Sequence, residues 1–177
     1  MQTDIEKIKA IVVEAGKLFE NREAAGHTRI KGTADYVTEV DFAVQSMICG
    51  KLQEIYPQVQ FMGEEKSNDE IDRSGMVWVL DPVDGTTNLI HDYRNSAISL
   101  ALMERQRIVM GIVYNPYNRE LFWAREGGGA YLNGQAIHVS NAEKMAESLI
   151  SKGTSPYYKE MAAENFPVFQ SIFMDCQ

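Results

Sequence analysis

Residues 78–91 read Trp-Val-Leu-Asp-Pro-Val-Asp-Gly-Thr-Thr-Asn-Leu-Ile-His. A short apolar run, Met76 to Leu80, stops in two carboxylates, Asp81 and Asp84, split by Pro82 and followed at once by a Gly-Thr-Thr-Asn turn. Buried strands ordinarily end in neutral turn residues. Two anions within four positions repel each other unless something cationic lies between them. Pro82 fixes its own φ and stiffens the turn, which lets carboxylates three positions apart converge on one side. A second pair of acids, Glu64 and Glu65, follows another apolar run at Phe61 and Met62. Strand-end acids with no clustered Lys or Arg beside them suit a hard cation such as Mg²⁺, which takes carboxylates, waters and substrate phosphate. Gly85 and Thr86 are expected to open a helix, whose N–H groups would point at an anion. Gly85 allows a ligand to approach the backbone closely.

The rest of the chain supplies a scaffold. Ile5, Ile8, Val12, Ala15 and Phe19 recur at spacings of three and four and give a first helix one apolar face; Gly26 and Gly32 mark where that pattern stops. A second helix starts near Thr38, carries the stripe Val40, Val44, Ile48, Leu52 and Ile55, and closes at Pro57. Strands are expected at residues 59–62, 76–80, 96–103, 108–114, 120–124 and 129–132, with a hairpin dipeptide at Asn133-Gly134. The four closely spaced strands after residue 95 predict an antiparallel meander. Two helices packed on such a sheet make an α+β layer. Towards the end, residues 148–151 and 172–174 read as strands and 157–165 as a short helix.

Bulk properties exclude several classes. The net charge of −8 over 177 residues argues against a general nucleic-acid binder, which would show a basic stripe. No apolar run approaches the ~20 residues that span a bilayer, and the polar N-terminus cannot serve as a signal peptide. Cys49 and Cys176, the only cysteines, form no disulfide framework, which favours a reducing, cytoplasmic setting.

The motifs resemble those of the inositol monophosphatase family, whose wider group includes fructose-1,6-bisphosphatase and the bisphosphate nucleotidases. The resemblance rests on Asp81-Pro-Val-Asp-Gly-Thr-Thr-Asn-Leu89, on Gly63-Glu-Glu65, on Lys31-Gly-Thr-Ala-Asp-Tyr-Val-Thr-Glu-Val-Asp41, and on the Gly127–Ser140 segment. Val83 and Leu89 depart mildly from it, in place of Ile or Leu and of Phe. It implies the first half of a layered αβαβα sandwich, with residues 1–141 as a metal- and phosphate-binding domain and 142–177 as the start of a second α/β domain. It also implies about as many residues again beyond Gln177, with a Trp-Asp-x-Ala-x-Gly motif whose aspartate completes a second metal site.

By the same resemblance, Glu64, Asp81 and the Val83 carbonyl hold one Mg²⁺, and Asp81 and Asp84 hold a second. Glu65 supports a weaker third site through water. Gly85 and Thr86 bind phosphate. Asp41 and Thr86 activate water, with Glu64 counted among the catalytic residues, and Lys31 and Asp35 order a loop over the site. Asp41 has a second reading open to it, because Thr38-x-x-Asp41 has the spacing of a capping box; the two roles do not exclude each other. The implied activity is Mg²⁺-dependent, Li⁺-sensitive hydrolysis of a small phosphorylated polyol or sugar, inositol monophosphate first, by metal-activated water in a homodimer. Alternatives are a sugar bisphosphatase, a nucleotide 3′-phosphatase, or an inactive metal-binding fragment.

Overall fold

The computed structural model describes residues 4–32, 35–64, 68–153 and 158–176, with the side chains of Lys31 and Asp35 outside that description. Two compact units emerge: residues 1–29 with 36–137, and residues 30–35 with 138–177.

In the first unit, helix α1 (Ile5–Gly16) begins at Asp4, whose side chain accepts from the Lys7 N–H, and buries Ile8, Ile11, Val12 and Ala15. A 3₁₀ turn (Lys17–Glu20) and the short helix α2 (Arg22–Gly26) follow. Residues Thr28–Gly32 (β1) and Asp35–Thr38 (β2) form a separate two-stranded sheet. Neither strand is foreseen by the sequence reading. Helix α3 (Glu39–Ile55) opens on Thr38 and buries Val40, Asp41, Val44, Ile48 and Leu52. Ile55, expected on the same stripe, is 41% exposed.

Seven strands make one sheet in sequence order: β3 (Gln60–Gly63), β4 (Met76–Asp84), β5 (Ala97–Glu104), β6 (Arg107–Asn115), β7 (Glu120–Arg125), β8 (Gly129–Leu132) and β9 (Gln135–Ile137). Only the β3–β4 pair is parallel; β4 to β9 form the expected antiparallel meander. Helix α3 packs on β4, and α1 packs on α3 and β6. Trp78, Leu80, Leu100, Leu102 and Ile112 join the helix stripes in one apolar core, as an α+β layer requires.

The second unit contains helix α5 (Ala162–Asp175) and two short 3₁₀ turns. Residues 148–151 form no strand, and residues 172–174, read from sequence as a strand, are helical. Short apolar runs do not distinguish strand from helix. The deciding signal lies outside the run: Ala162, Asn165, Phe169, Ile172 and Cys176 are the half-buried positions, spaced three and four apart, which is the helical period.

Candidate active site

Strand β4 does not stop at Leu80; it runs on through Asp81 to Asp84. Asp81 pairs with Ser99 and Asp84 with Ala97, so Pro82 and Val83 together face Ile98 alone. Proline cannot donate to a ladder, and a bulge absorbs it. The bulge has a stereochemical consequence. In a regular strand, positions three apart point to opposite faces, whereas one extra residue brings them to the same side. Asp81 and Asp84 are thereby brought within electrostatic reach of each other.

Glu64 joins them from the parallel neighbour. Its N–H donates to the Leu80 carbonyl at 3.2 Å, which continues the β3–β4 ladder one residue past Gly63. Asn68 fastens this end, its Nδ2 donating to the Gly63 carbonyl at 2.8 Å and its Oδ1 accepting the Gly63 N–H at 3.3 Å. The side chain of Gln45, one turn along α3 from Asp41, occupies the space a Cβ on Gly63 would need. Glycine at this position lets the Gln45 amide lie directly against the strand end.

The carboxyl of Asp81 is pushed up to about 7, first by burial, then by the charge of Glu64 and a hydrogen bond with it, and by the charge of Asp84. The N–H of Val83, donating to Asp81 Oδ1 at 3.1 Å, works in the opposite direction. Glu64 and Asp84 are exposed and Asp81 is half-buried. Among the described residues, no three His, Cys, Asp or Glu side chains already converge as a metal cage. The centre is instead a hydrogen-bonded Glu64–Asp81 pair with Asp84 nearby, open on the solvent side.

Beyond Asp84 the chain turns through Gly85, at φ +86° and ψ 44°, into the five-residue helix α4 (Thr86–Ile90). A Cβ there would sit 3.2 Å from both Asn88 Nδ2 and the Asn95 carbonyl, so the left-handed turn and the crowding both call for glycine. The turn is pinned by buried Ser96, whose Oγ donates to the Gly85 carbonyl at 2.8 Å, and by Asn88 Nδ2, which donates to the Asn95 carbonyl at 2.7 Å. At the far end of α4, Arg22 donates to the carbonyls of Leu89 at 2.7 Å and Ile90 at 3.1 Å. Asn68, Ser96 and Arg22 are missed by the sequence reading. Each is a single polar residue outside the motifs, with no spacing signal of its own.

Asp41 is 2% exposed and divides its two oxygens. Oδ2 accepts the Thr38 N–H at 2.8 Å and the Thr38 hydroxyl at 2.6 Å, which completes a capping box at the start of α3. Oδ1 faces the Thr86 hydroxyl at 3.2 Å, and that hydroxyl also lies 3.0 Å from the Val83 carbonyl. The capping role and the Thr86 contact are therefore both present. Burial raises the Asp41 carboxyl above the ordinary aspartate range, against the hydrogen bonds from Thr38 and Thr86 that lower it.

Asp41, Glu64, Asp81, Val83, Asp84, Gly85 and Thr86 thus come from four segments of one unit. Glu65 and the side chains of Lys31 and Asp35 lie outside the described residues.

The family model described as "Inositol monophosphatase family" matches residues 2–170. The inositol monophosphatase of Dictyostelium discoideum is 38% identical over 153 residues, covering 85% of this chain and 56% of that protein. The fructose-1,6-bisphosphatase/inositol-1-monophosphatase of Thermotoga maritima is 37% identical over 123 residues, covering 70% of this chain and 47% of that protein. The crystal structure of extragenic suppressor protein suhB from Bartonella henselae superposes with a TM-score of 0.90 at 26% identity, covering 99% of this chain and 69% of that one. The chain spans about half the length of the curated relatives it matches.

Proposed function

The chain belongs to the inositol monophosphatase family, and from that premise we propose that it carries the metal- and phosphate-binding half of a Mg²⁺-dependent phosphatase acting on a small phosphate monoester, inositol monophosphate first. The observation that supports this most is the burial of Asp81 together with its crowding by Glu64 and Asp84, which push its carboxyl up to about 7. A site that strains to keep a proton on a carboxylate suits a divalent cation, because the cation relieves the repulsion the proton now relieves. The donor set is all oxygen, as Mg²⁺ requires. Glu64, Asp81 and the Val83 carbonyl would hold one ion, Asp81 and Asp84 a second, and Glu65 a weaker third through water. The Val83 carbonyl, although near the Thr86 hydroxyl, keeps a second lone pair for a ligand. When bound, the ions lower the pKa of water and compensate charge on the leaving oxygen.

The protein's own groups supply position and proton flow. The Thr86 hydroxyl donates its single proton towards Asp41 Oδ1 or the Val83 carbonyl, so its lone pairs face outward as acceptors for a water proton. Asp41 then receives the proton demand through Thr86, and its raised affinity for protons makes it a better base than an exposed aspartate. The N–H groups of Gly85 and Thr86 are the proposed phosphate contacts, since a first helical turn leaves its donors without intrahelical partners. Lys31 and Asp35 are proposed to order the loop over the site, and a homodimer in the cytoplasm belongs to the same reading. A sugar bisphosphate is the second substrate reading, favoured by the double name of the Thermotoga maritima relative.

The test is Mg²⁺ titration by calorimetry, paired with phosphate release from inositol monophosphate, fructose 1,6-bisphosphate and a nucleoside 3′-phosphate. Asp81→Asn should abolish both binding and turnover. Thr86→Ala should lower kcat roughly 100-fold with a smaller effect on KM. Mg²⁺ binding without turnover on any substrate would leave the inactive metal-binding reading. Mg²⁺ binding unchanged by Asp81→Asn would remove the metal assignment.

A further inference from the structure

At the opposite end of α4 from Thr86 lies a cleft of about 500 Å³, lined by residues of one unit. Three arginines line it, Arg22, Arg94 and Arg119, against two acids, Glu20 and Asp92. That local excess of positive charge stands out on a chain whose net charge is −8.

The arginines are not saturated by what surrounds them. Asp92 lies 3.9 Å from Arg22 and 3.5 Å from Arg94, at ion-pair rather than hydrogen-bond distance. Arg22 uses two of its five N–H donors on the Leu89 and Ile90 carbonyls, which fixes its guanidinium in place and leaves three. Arg119 has no ion-pair partner among the described residues. Asp92, at φ 52°, and Arg94, at φ 59°, both hold left-handed backbone, and neither lies in a two-residue hairpin turn of the kind that demands it at Arg105 and Gln106. Bulky residues held this way carry a cost that often marks a functional constraint.

An aromatic ring lies beside the arginines. The Tyr117 hydroxyl is buried without a hydrogen-bond partner among the described residues. Its ring meets Phe19 edge-on at 6.1 Å; Phe19 is buried beneath it, and the half-buried Tyr117 ring is the aromatic face the cleft presents.

The geometry points to a second anion site, distinct from the acidic centre, that takes a small phosphomonoester: the guanidinium groups of Arg22, Arg94 and Arg119 around the phosphate, the half-buried Tyr117 ring against the organic part. Phosphate matches the donors better than carboxylate, because it offers three terminal oxygens to several forks at once. The volume falls in the range of small-molecule sites and exceeds what phosphate alone would fill.

Binding of inorganic phosphate and of phenyl phosphate to the purified chain, measured by calorimetry in EDTA, tests the site. Without metal, Glu64, Asp81 and Asp84 repel phosphate, so binding under these conditions does not report on the proposed active site. Both probes should bind, phenyl phosphate the tighter. Arg119→Ala and Arg94→Ala, substitutions at exposed residues, should each weaken phenyl phosphate by roughly tenfold, the worth of one charge-assisted hydrogen bond. Asp81→Asn should leave it unchanged. Binding that appears only with Mg²⁺, or that is indifferent to both Arg119→Ala and Arg94→Ala, overturns the proposal. No binding of either probe at millimolar concentration also overturns it.

Discussion

Replacing Asp81 by asparagine should make the metal-free chain more stable near neutral pH while removing its response to Mg²⁺. The folded-state pKa of Asp81, about 7, lies above the ordinary aspartate value of 3.8. The native form therefore keeps a proton that the unfolded chain has already released. Linkage then makes stability fall as pH rises from about 4 to about 7, after which this contribution is flat. At about 1.4 kcal/mol per pH unit, the loss has a ceiling of about 4 kcal/mol. Solvent around a half-buried carboxyl screens it, so about 2 kcal/mol is expected. Asparagine carries no charge to crowd. Its Oδ1 can still accept the Val83 N–H that Asp81 accepts at 3.1 Å, and its amide can donate to Glu64. Urea unfolding in EDTA should find the two proteins equal below about pH 4 and the variant more stable near pH 8. Burial also raises Asp41, so the variant keeps a residual slope of the same sign. Saturating Mg²⁺ should invert the order, since wild type gains about 3 kcal/mol at a hundred times Kd and the variant gains little. Equal stability near pH 8 in EDTA would refute the crowding argument, and an equal gain from Mg²⁺ would refute the ligand assignment.

Gly85→Ala should cost roughly 1–2 kcal/mol, because alanine is strained at φ +86° and meets Asn88 and the Asn95 carbonyl; thermal unfolding gives the cost, and a larger loss in phosphate release than in stability would show the turn displaced. Leu52→Ala, at a fully buried position on α3, should cost about 2–5 kcal/mol by denaturant unfolding while the folded fraction keeps wild-type Mg²⁺ affinity. Arg22→Ala should loosen the far end of α4, seen as faster hydrogen exchange at His91 and Asp92, whose N–H groups bond back into α4.

The scaffold is legible in the sequence where one signal dominates. The three- and four-residue stripes of α1 and α3, and the Asn133-Gly134 turn between β8 and β9, appear where expected. The motif at residues 81–88 is legible in composition but not in shape. Its acids read as the end of a strand, whereas the strand continues and the bulge at Pro82 and Val83 aims them. A bulge depends on pairing with β5, which no local pattern encodes. The two-stranded sheet β1–β2 is hidden for a similar reason, since its residues carry no apolar alternation. Helix α5 is legible only at its start, where residues 162–165 fall in the helix expected at 157–165; its continuation is hidden because Ile172-Phe-Met174 is too short to show a period by itself.

Asp41 joins the fold to the chemistry, and Asp41→Asn separates the two. Oδ2 takes both donors of Thr38 and starts α3; Oδ1 faces the Thr86 hydroxyl. Asparagine can keep the first arrangement only by turning its oxygen towards Thr38, since an amide nitrogen there would meet the Thr38 N–H donor. Its NH₂ group must then face Thr86. The Thr86 hydroxyl responds by donating to the Val83 carbonyl, 3.0 Å away, and accepting from the amide. One of the two hydroxyl lone pairs proposed to orient water is then taken by the amide, and the substituted side chain has no basic oxygen left to receive a proton. The capping box survives, so the stability cost should stay near ~1 kcal/mol. Proposed turnover should fall by about 10²-fold or more in kcat, with KM little changed. Asp41→Ala removes both functions and should cost a further ~1–3 kcal/mol of stability, from the unmatched Thr38 donors. Turnover in Asp41→Asn close to wild type, at matched stability, would show that Asp41 caps the helix and does nothing for the reaction.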